Sequence, residues 1–569
     1  MAGYLSIIPL LCLAIDGLLP DRVRKIVLRI YYVIASFAVA MSFLSNLVLY
    51  HYWRYPLDAT PLFYFLSSPA DAVASVSWWT LPLALCFVAL LMTIICWIFH
   101  RLYFLTRVEG SPKFKDRGII ILLLGLLFIP IRGGFTVSST NTGKAYFSDN
   151  QLLNHAAVNP LFSFFESVAH QEDFGRQYRF MDEKMARQLV NELNKPSRGM
   201  SDVSLLSAPA KLLRKEVQHP DIYLIIMESF SDTLLHVPGV TPSLNKLCKE
   251  GVYFSRFYAN SFRTDRGLVS ILRGFPSPAS VSLMKFPKKT ARMGSISKQL
   301  KEAGYDCHYY YGGDADFTNM RSFLINQGFT HITEDVDFPV TDRLSKWGVP
   351  DHLLFKKLES DLNISGSSEN RGLTKHGDSC RMFRVIQTSS SHEPFDVPYH
   401  HLHDKRLNAF AYTDSCVGAF VKHLQADSLR WQRSLVIMVP DHLGAWPDYI
   451  DDFSSWRYHV PMIWVGGALQ KPCEITTVGS QQDIAATLLG QLDIQPRNLP
   501  FSKNLLDSRQ SHYAFFMMHD GEGMVTDTHT IIYDNQRRKT VFHEGKENDN
   551  LEKKLKAYVQ YLFDAIATL

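Results

Sequence analysis

Closely spaced cysteines are missing from this sequence. The chain has eight cysteines in 569 residues, and no two of them stand in a C-x-x-C pattern. Zinc knuckles and thioredoxin-like redox sites therefore receive no support, because both need such pairs. Cys12, Cys86 and Cys96 lie in apolar runs, and the remaining five are an odd number from which no disulfide framework can be inferred.

The sequence also has little net charge. Lysine and arginine (59) nearly balance aspartate and glutamate (55), which leaves a formal charge of +4. A nucleic-acid-binding protein needs a concentrated basic face. No such concentration is present, so nucleic acid is not an expected partner. Internal repeats are absent as well.

Long apolar runs dominate the first 135 residues, whereas the rest has the composition of a soluble protein. Four segments stand out, at 4–19, 29–50, 75–99 and 117–132. A helix needs about 20 apolar residues to cross a bilayer. The second and third segments meet this length, the fourth is slightly short but aliphatic, and the first is short and contains Asp16. We predict a transmembrane domain of about four helices at 1–134.

The basic residues between these segments predict the orientation of the chain. They fall in two loops, as Arg22, Arg24, Lys25 and Arg29, and as Arg101, Arg107, Lys113, Lys115 and Arg117. The loop at 51–74 contains only Arg54. By the positive-inside rule the two basic loops are cytoplasmic. We therefore predict a multi-pass protein of the cytoplasmic (inner) membrane with everything after about 135 on the outer side. The N-terminus would then lie outside, and a further segment upstream is a hypothesis that would explain this.

Beyond the apolar region, the pattern predicts three parts. Residues 135–215 are expected to form a juxtamembrane helical linker. From 216 to 510, near-continuous apolar strands alternate with helices, which indicates a parallel sheet covered on both faces. Residues 511–569 contain turn pairs and extended runs typical of antiparallel strands, followed by a terminal helix from about 550.

Polar side chains collect where the predicted strands end. These residues are Glu228, Asp314, His392, Asp441 and His442. In an open α/β sheet, ligands bind beyond the carboxyl ends of the strands, so we expect these side chains to share one edge. Carboxylates and imidazoles together suit Mn²⁺, Zn²⁺ or Mg²⁺.

Thr264 is the candidate nucleophile near this edge. It is expected in a loop, SFRTDRG, that follows the strand-like run YFSRFYAN. A free threonine hydroxyl is a poor nucleophile, but a metal on its oxygen lowers its pKa and makes it competent. The same cation neutralises charge on a phosphoryl group in transfer.

Six sequence elements in this order resemble the lipoteichoic acid synthase family, a branch of the alkaline phosphatase and sulfatase superfamily. They are IIMESFSD (225–232), NSFRTDRG (260–267), YGGDADFTNMRSF (311–323), KWGVPDHLLF (346–355), TSSSHEPF (388–395) and VPDHLGAW (439–446). The resemblance covers nearly the whole chain. It implies an α/β/α sandwich of the alkaline phosphatase and sulfatase type, a transmembrane helical bundle before it and a small antiparallel subdomain after it.

The resemblance also implies roles for individual residues. The metal ligands correspond to Glu228, Thr264, Asp441 and His442, with one divalent ion, Mn²⁺ by resemblance and Zn²⁺ or Mg²⁺ as alternatives. Thr264 corresponds to the nucleophile. Substrate-binding positions correspond to His392 and Asp314, and Arg321 is the third candidate. The family places a tryptophan and an arginine after Phe317; here the tryptophan is absent and Arg321 is displaced by one position, which alters the substrate pocket.

The implied reaction is a phospho-group transfer. Thr264 attacks a phospholipid donor, a phospho-threonine ester of the head group forms, and an envelope glycan or lipid at the outer surface accepts the group. His392 positions the phosphate or serves as acid and base. Glycerophosphate is the head group by resemblance.

Several other activities are compatible with this fold. A sulfatase would need Cys or Ser in C/S-x-P-x-R, whereas this loop reads Arg263-Thr264-Asp265-Arg266-Gly267. A lipid phosphoethanolamine transferase is the alternative to phosphoglycerol transfer. A two-metal phosphodiesterase would need further ligands, for which His459 and Asp483 are candidates that fit a structural role better. A non-enzymatic scaffold is disfavoured because the four metal-site positions are intact.

Overall fold

The computed structural model describes most of the chain. The described residues are 1–53, 56–62, 80–105, 114–169, 173–195, 211–366, 381–545 and 549–569, except 17, 19, 60, 136, 137, 149 and 346. They divide into two compact units, Met1–Glu172 and Asp173–Leu569. The finer domain boundaries expected at 134, 215 and 510 stay predictions.

The first unit is helical. Its helices are Ala2–Ala14, Asp21–Trp53, Thr80–Leu105, Phe114–Leu126, Phe128–Arg132, the 3₁₀ turn Thr142–Ala145, Gln151–Ala157 and Pro160–Ala169. The described parts of the four predicted apolar segments lie largely on helices, and 75–79 and residues 106–113 of the second basic loop lie outside the described residues.

Two described helices are long and apolar enough to cross a membrane. They are Asp21–Tyr50 and Pro82–Arg101, with mean hydropathies of 1.9 and 2.5. Ala2–Ala14 has 13 residues, which is short for a span. Only 6% of the apolar window in Pro82–Arg101 is buried. An exposed apolar surface of this kind is unfavourable in water and favourable in contact with lipid. The count of four spans and the orientation stay predictions.

The second unit is built around an eight-stranded sheet. The strands of this unit are β1 (Asp221–Met227), β2 (Val252–Phe254), β3 (Phe257–Tyr258), β4 (Tyr305–Tyr311), β5 (His331–Thr333), β6 (Arg381–Gln387), β7 (Ser434–Pro440), β8 (Met462–Val465), β9 (Cys473–Ile475), β10 (Gly479–Ser480), β11 (Ala514–Met518), β12 (Gly521–Val525), β13 (Thr530–Asp534) and β14 (Lys539–Glu544). The large sheet has the order β5-β4-β6-β1-β7-β8-β2-β9, and β3 pairs with β10 separately.

Helices cover both faces of this sheet. Helices and 3₁₀ turns of this unit are Phe174–Gln177, Glu183–Leu193, Asp232–Leu235, Pro242–Glu250, Thr264–Arg273, Leu283–Lys285, Pro287–Arg292, Ile296–Glu302, Phe317–Asn319, Met320–Ile325, Asp335–Asp337, Val340–Asp342, Asp351–Gly366, Lys405–Ala426, Ser428–Arg433, Ser455–Tyr458, Asp483–Gln491 and Asp549–Thr568. Alternate residues of β1 enter two separate cores, Leu224 on one face and Ile225 on the other. The uninterrupted apolar run of β1 follows from this two-sided burial.

One strand departs from the expected parallel sheet. β8 runs antiparallel to both of its neighbours, β7 and β2. A parallel return to a neighbouring position needs a crossover, usually a helix. Between β7 and β8 the chain has only the short 3₁₀ turn Ser455–Tyr458, so β8 pairs with β7 in the opposite direction.

The C-terminal part forms a separate four-stranded antiparallel sheet, β11 to β14, as the turn pairs predict. The terminal helix Asp549–Thr568 packs against Glu183–Leu193. Gln560 from the terminal helix accepts hydrogen bonds from the backbone N–H groups of Phe180 and Met181. Hydrogen bonds therefore connect the residues just before Glu183–Leu193 to the terminal helix.

Candidate metal and nucleophile site

The strand order brings the predicted site residues to one edge of the sheet. Strands β4, β6, β1 and β7 are consecutive neighbours and parallel. Glu228 follows the last residue of β1, and Asp441 follows the last residue of β7. Met227 and Pro440 are partners in the register of the two strands, so the two carboxylates begin from adjacent positions. Glu228 and Asp441 therefore lie side by side at the carboxyl edge of the sheet, as expected.

Thr264 does not lie within the loop that the sequence predicted. It is the first residue of the helix Thr264–Arg273, and the extended residue Arg263 precedes it. The N–H groups of Arg266 and Gly267 donate to the Arg263 carbonyl and close the first turn. Because a helix N-terminus carries a partial positive charge, this position favours negative charge near the threonine oxygen.

The hydroxyl of Thr264 points at the strand-end residues. Its Oγ1 donates to Oε2 of Glu228 at 3.1 Å and lies 3.4 Å from Nε2 of His442. The Nδ1 atom of His442 lies 2.9 Å from the carbonyl oxygen of Leu443. Nδ1 must carry the proton to make this hydrogen bond, so in the neutral ring Nε2 presents a lone pair towards Thr264.

The Asp441 carboxylate has one satisfied and one unsatisfied oxygen. Oδ1 accepts from the backbone N–H groups of Ser229 and His442, at 2.9 and 2.8 Å. Oδ2 is buried and has no hydrogen-bond partner among the described residues. Buried polar atoms are normally paired, so this atom is suited to bind a cation.

Glu228, Asp441 and His442 together fit a divalent metal ion. One ligand atom from each lies within 4.8 Å of the others, and all three residues are buried. Two carboxylates, an imidazole lone pair and the Thr264 oxygen are the donor types that Mn²⁺, Zn²⁺ and Mg²⁺ accept. The structure brings Glu228, Asp441 and His442 together, and the ligand set that the resemblance implied stays a prediction.

Burial and mutual charge shift the pKa values in this cluster. Burial and the neighbouring Glu228 carboxylate raise the pKa of Asp441 to about 7. Burial also acts to raise the pKa of Glu228, but the positive charges of His442 and His392 outweigh it and lower that pKa. Burial acts to lower the pKa of His442, and the carboxylates of Asp441 and Glu228 reverse this and raise it. Positive charge thus outweighs burial at Glu228, whereas at Asp441 the charge of His442 only partly opposes the rise in pKa.

Neighbouring polar residues hold the two carboxylates in place, and the sequence interpretation missed all of them. Ser229 donates from Oγ to Glu228 Oε1 at 2.7 Å. The Glu228 N–H donates to Thr388 Oγ1, and Ser391 Oγ donates to the Glu228 carbonyl. Gln481 Nε2 donates to the carbonyls of Pro440 and Asp441, both at 2.7 Å. Ser229, Thr388 and Ser391 lie within the six sequence elements, which was the available signal; Gln481 lies outside them.

His392 follows β6 and lies beside the metal-site cluster. Its ring is 4.0 Å from that of Trp347, between centroids, and Trp347 in turn meets Phe317 edge-on at 5.3 Å. Its charge lowers the pKa of Glu228. The residues just after Phe317 lack the tryptophan that the family places there. Trp347, from a separate segment, is the aromatic residue that contacts Phe317.

Asp314 and Arg321 both shape the turn after β4. Asp314 is buried and accepts the N–H of Asp316 at 2.8 Å. Arg321 donates to Asp316 and to Glu334, both at 2.6 Å. In this arrangement the guanidinium of Arg321 is bound by two carboxylates of the protein. Substrate-binding roles for Asp314, Arg321 and His392 stay predictions.

The two candidates for a second metal site have other partners. His459 Nδ1 lies 3.4 Å from an oxygen of Asp232, and its Nε2 lies 2.8 Å from the Ser255 carbonyl. Asp483 accepts the backbone N–H groups of Ser480 and Lys503. Within the described ranges, neither belongs to a group of three or more potential ligands. These contacts favour structural roles for His459 and Asp483.

Residues 220–494 match the family model described as Sulfatase. This part of the chain is therefore similar to the domains of that family. Curated relatives include phosphoglycerol transferase I of Xanthomonas campestris pv. campestris, 25% identical over 288 residues, which is 47% of this chain and 40% of the relative. The enzyme of the same name from Salmonella arizonae is 25% identical over 43% of this chain and 33% of its own length. The matched segments thus cover only 40% and 33% of the length of these two relatives.

Two solved structures share the fold. A protein of the alkaline phosphatase superfamily from Vibrio parahaemolyticus has a TM-score of 0.56 and 22% identity, and covers 69% of this chain and 98% of its own. The lipoteichoic acid synthase LtaP from Listeria monocytogenes has a TM-score of 0.52 and 18% identity, with coverages of 67% and 98%. The predicted fold is confirmed.

Substituting Gly267 by alanine is expected to disrupt the site. An added Cβ would overlap the backbone carbonyl oxygen of Asp441, and a clash of this kind typically costs about 1–3 kcal/mol. Bound metal and the unfolding midpoint of the full-length protein should both fall. Gly175→Ala is the control, because its Cβ would meet its nearest neighbour at 3.6 Å. Equal metal content in the two variants would contradict the inferred closeness of the helix to Asp441.

The metal-free protein is expected to lose stability between about pH 4 and about pH 7. In the folded state Asp441 keeps its proton up to about pH 7, whereas an unfolded aspartate loses it at about pH 3.9. The folded state therefore binds more protons in this window, and stability falls as the pH rises. Unfolding midpoints in chelator should show this slope in the wild type and a smaller one in Asp441→Asn. Added metal should stabilise more at higher pH, because ligation replaces the proton.

Proposed function

We propose that this protein is a membrane-anchored, metal-dependent transferase that moves phosphoglycerol from a phospholipid to an acceptor on the outer surface. The observation that carries the proposal is the Thr264 hydroxyl at a helix N-terminus, 3.1 Å from Glu228 and 3.4 Å from His442, beside the unsatisfied Asp441 Oδ2. A nucleophile, an anion-stabilising helix end and a cation site meet at one point.

The identity of residue 264 favours phospho-group transfer over sulfate ester hydrolysis. The sulfatase type of nucleophile is made from cysteine or serine, and this chain has threonine. The name of the curated relatives, phosphoglycerol transferase I, supports phosphoglycerol as the group that is moved. Phosphoethanolamine remains the alternative head group, and the mass of the Thr264 adduct distinguishes the two.

Glu228, Asp441, His442 and Thr264 would hold the metal ion, with Mn²⁺ as our proposal. A bound divalent ion lowers the pKa of a coordinated hydroxyl and neutralises charge on the phosphoryl oxygens. The chain itself supplies the positions of these groups, which Ser229, Thr388 and Gln481 fix by hydrogen bonds.

The reaction proceeds in two displacements at phosphorus. In the first, Thr264 Oγ1 loses its proton and forms a bond to phosphorus, while the bond from phosphorus to the diacylglycerol oxygen breaks. That oxygen takes up a proton, so free diacylglycerol leaves and phosphoglycerol stays on Thr264. In the second, an acceptor hydroxyl gives its proton to His392 and bonds to phosphorus, while the bond to Thr264 breaks and Thr264 Oγ1 takes up a proton. His392 is the proposed acid in the first step and base in the second.

A lipid donor requires the site to work at a membrane. The helices Asp21–Tyr50 and Pro82–Arg101 are the described candidates for an anchor. We propose that the anchor lies in the cytoplasmic membrane, multi-pass, and that the sulfatase-type domain lies on the outer side with an envelope glycan or lipid as acceptor.

Replacing Thr264 by alanine is expected to abolish turnover of a fluorescent phosphatidylglycerol, because no other group can form the intermediate. Thr264→Ser should keep a measurable rate, and Thr341→Ala, an exposed threonine distant in sequence, should behave as the wild type. Mass spectrometry of trapped enzyme should find glycerophosphate on Thr264. Wild-type turnover by Thr264→Ala would reject the nucleophile, and release of the head group to water without an acceptor product would indicate a phosphodiesterase.

Removal of Glu228 is expected to remove the metal as well as the activity. Glu228→Ala should show less than stoichiometric metal after purification, measured by elemental analysis, whereas Glu393→Ala, an exposed carboxylate next to His392, should retain it. A full metal content in Glu228→Ala would argue against Glu228 as a ligand.

A further inference from the structure

The loop that carries His392 is held on two sides. On its inner side, Thr388 and Ser391 contact the backbone of Glu228, as described above. On its outer side, the loop contacts the segment 347–351, which precedes the helix Asp351–Gly366. None of the proposed chemical steps uses this outer segment.

Asp351 fixes the backbone of the loop. Its carboxylate is fully buried, and Oδ1 accepts the N–H groups of Ser389 and Ser390 at 2.9 and 3.2 Å. Oδ2 accepts from Thr413 Oγ1 at 2.6 Å. In return, the Asp351 N–H donates to Ser390 Oγ at 2.9 Å. A reciprocal pair of this kind fixes both the position and the direction of the chain, and the His392 N–H then bonds to the Ser389 carbonyl.

Trp347 fixes the imidazole ring of His392. The two ring centroids are 4.0 Å apart, with 40° between the planes, and Phe317 supports the indole from another side. The segment around Trp347 lies close to the end of β4: the Val349 N–H donates to the Gly312 carbonyl at 3.0 Å. A Cβ at Gly313 would lie only 2.8 Å from the Trp347 carbonyl, so this approach requires glycine.

We infer that Trp347 and Asp351 are positioning residues for His392: Asp351 sets the backbone from which His392 projects, and Trp347 sets the plane of its ring. This inference rests on the proposed function for its kinetic consequence, since misplacement of a catalytic group by about 1 Å costs up to roughly 100-fold in rate. The contact between the two rings can be measured without turnover, and so can the dependence of that contact on Asp351.

The first experiment tests the contact by fluorescence. A protonated imidazole quenches the emission of an indole that it touches, so the wild-type spectrum minus that of Trp347→Phe should change with pH. In His392→Gln this pH-dependent difference should vanish. Asp351→Asn should reduce it by weakening the backbone anchor. Asp414→Asn is the matched control, because Asp414 is a buried carboxylate that accepts the N–H groups of Ser243 and Leu244 and does not bond to the His392 loop.

The second experiment tests the kinetic role. Trp347→Leu and Asp351→Asn should lower kcat by roughly tenfold or more with a smaller change in KM, while Trp347→Phe restores most of the rate and Asp414→Asn leaves it near wild type. In the His392→Gln background, Trp347→Leu should cause little further loss, because residues that act through one group are non-additive.

Three results would overturn the inference. One is a pH-dependent difference spectrum that survives His392→Gln. Another is an equal effect of Asp351→Asn and Asp414→Asn on that spectrum. The third is an undiminished loss from Trp347→Leu in the His392→Gln background. Failure of Thr264→Ala to abolish turnover would instead reject the proposed function and leave the fluorescence result standing.

Discussion

The burial of two carboxylates at the ends of adjacent strands is the constraint on which the site depends. Glu228 and Asp441 start from paired positions in the β1–β7 register, and burying two like charges together is unfavourable unless positive charge and hydrogen bonds compensate. Backbone N–H groups satisfy Asp441 Oδ1, the Ser229 hydroxyl satisfies Glu228 Oε1, and His442 faces both carboxylates. Asp441 Oδ2 has no hydrogen-bond partner among the described residues, which supports its proposed role as a cation ligand.

The surrounding chain is arranged so that the threonine can approach this pair. The helix Thr264–Arg273 lies against the Asp441 backbone so closely that Gly267 has no room for a side chain. This contact places the positive end of the helix at the metal-site cluster. The side-chain amide of Gln481 donates hydrogen bonds to the carbonyls of Asp441 and Pro440. Thr264, the proposed nucleophile, and the carboxylates are thus positioned by the close approach of two main-chain segments together with side-chain hydrogen bonds to the main chain.

The sequence predicted the parts of this arrangement that depend on local pattern. A run such as DIYLIIM ends where its apolar residues end, so Glu228 and Asp441 were placed at strand ends correctly, and the parallel order brought them together. The direction of β8, the helical start at Thr264 and the roles of Ser229 and Gln481 were not foreseen. These features depend on which segments pair in space: β8 runs antiparallel because of its short connection to β7, and Gln481 reaches Asp441 from 40 residues away in the chain.

The proposed metal ligands and the residues proposed to contact substrate come from different parts of this domain. Glu228, Asp441 and His442 follow β1 and β7 and are buried, and Thr264, the proposed nucleophile, is the first residue of the helix Thr264–Arg273. The residues around the substrate position come from the loops after β4 and β6, where Arg321 is bound by Asp316 and Glu334 and where Trp347 lies against His392. Under the proposed function, the contacts of the loops after β4 and β6, more than the shared fold, decide which head group is transferred.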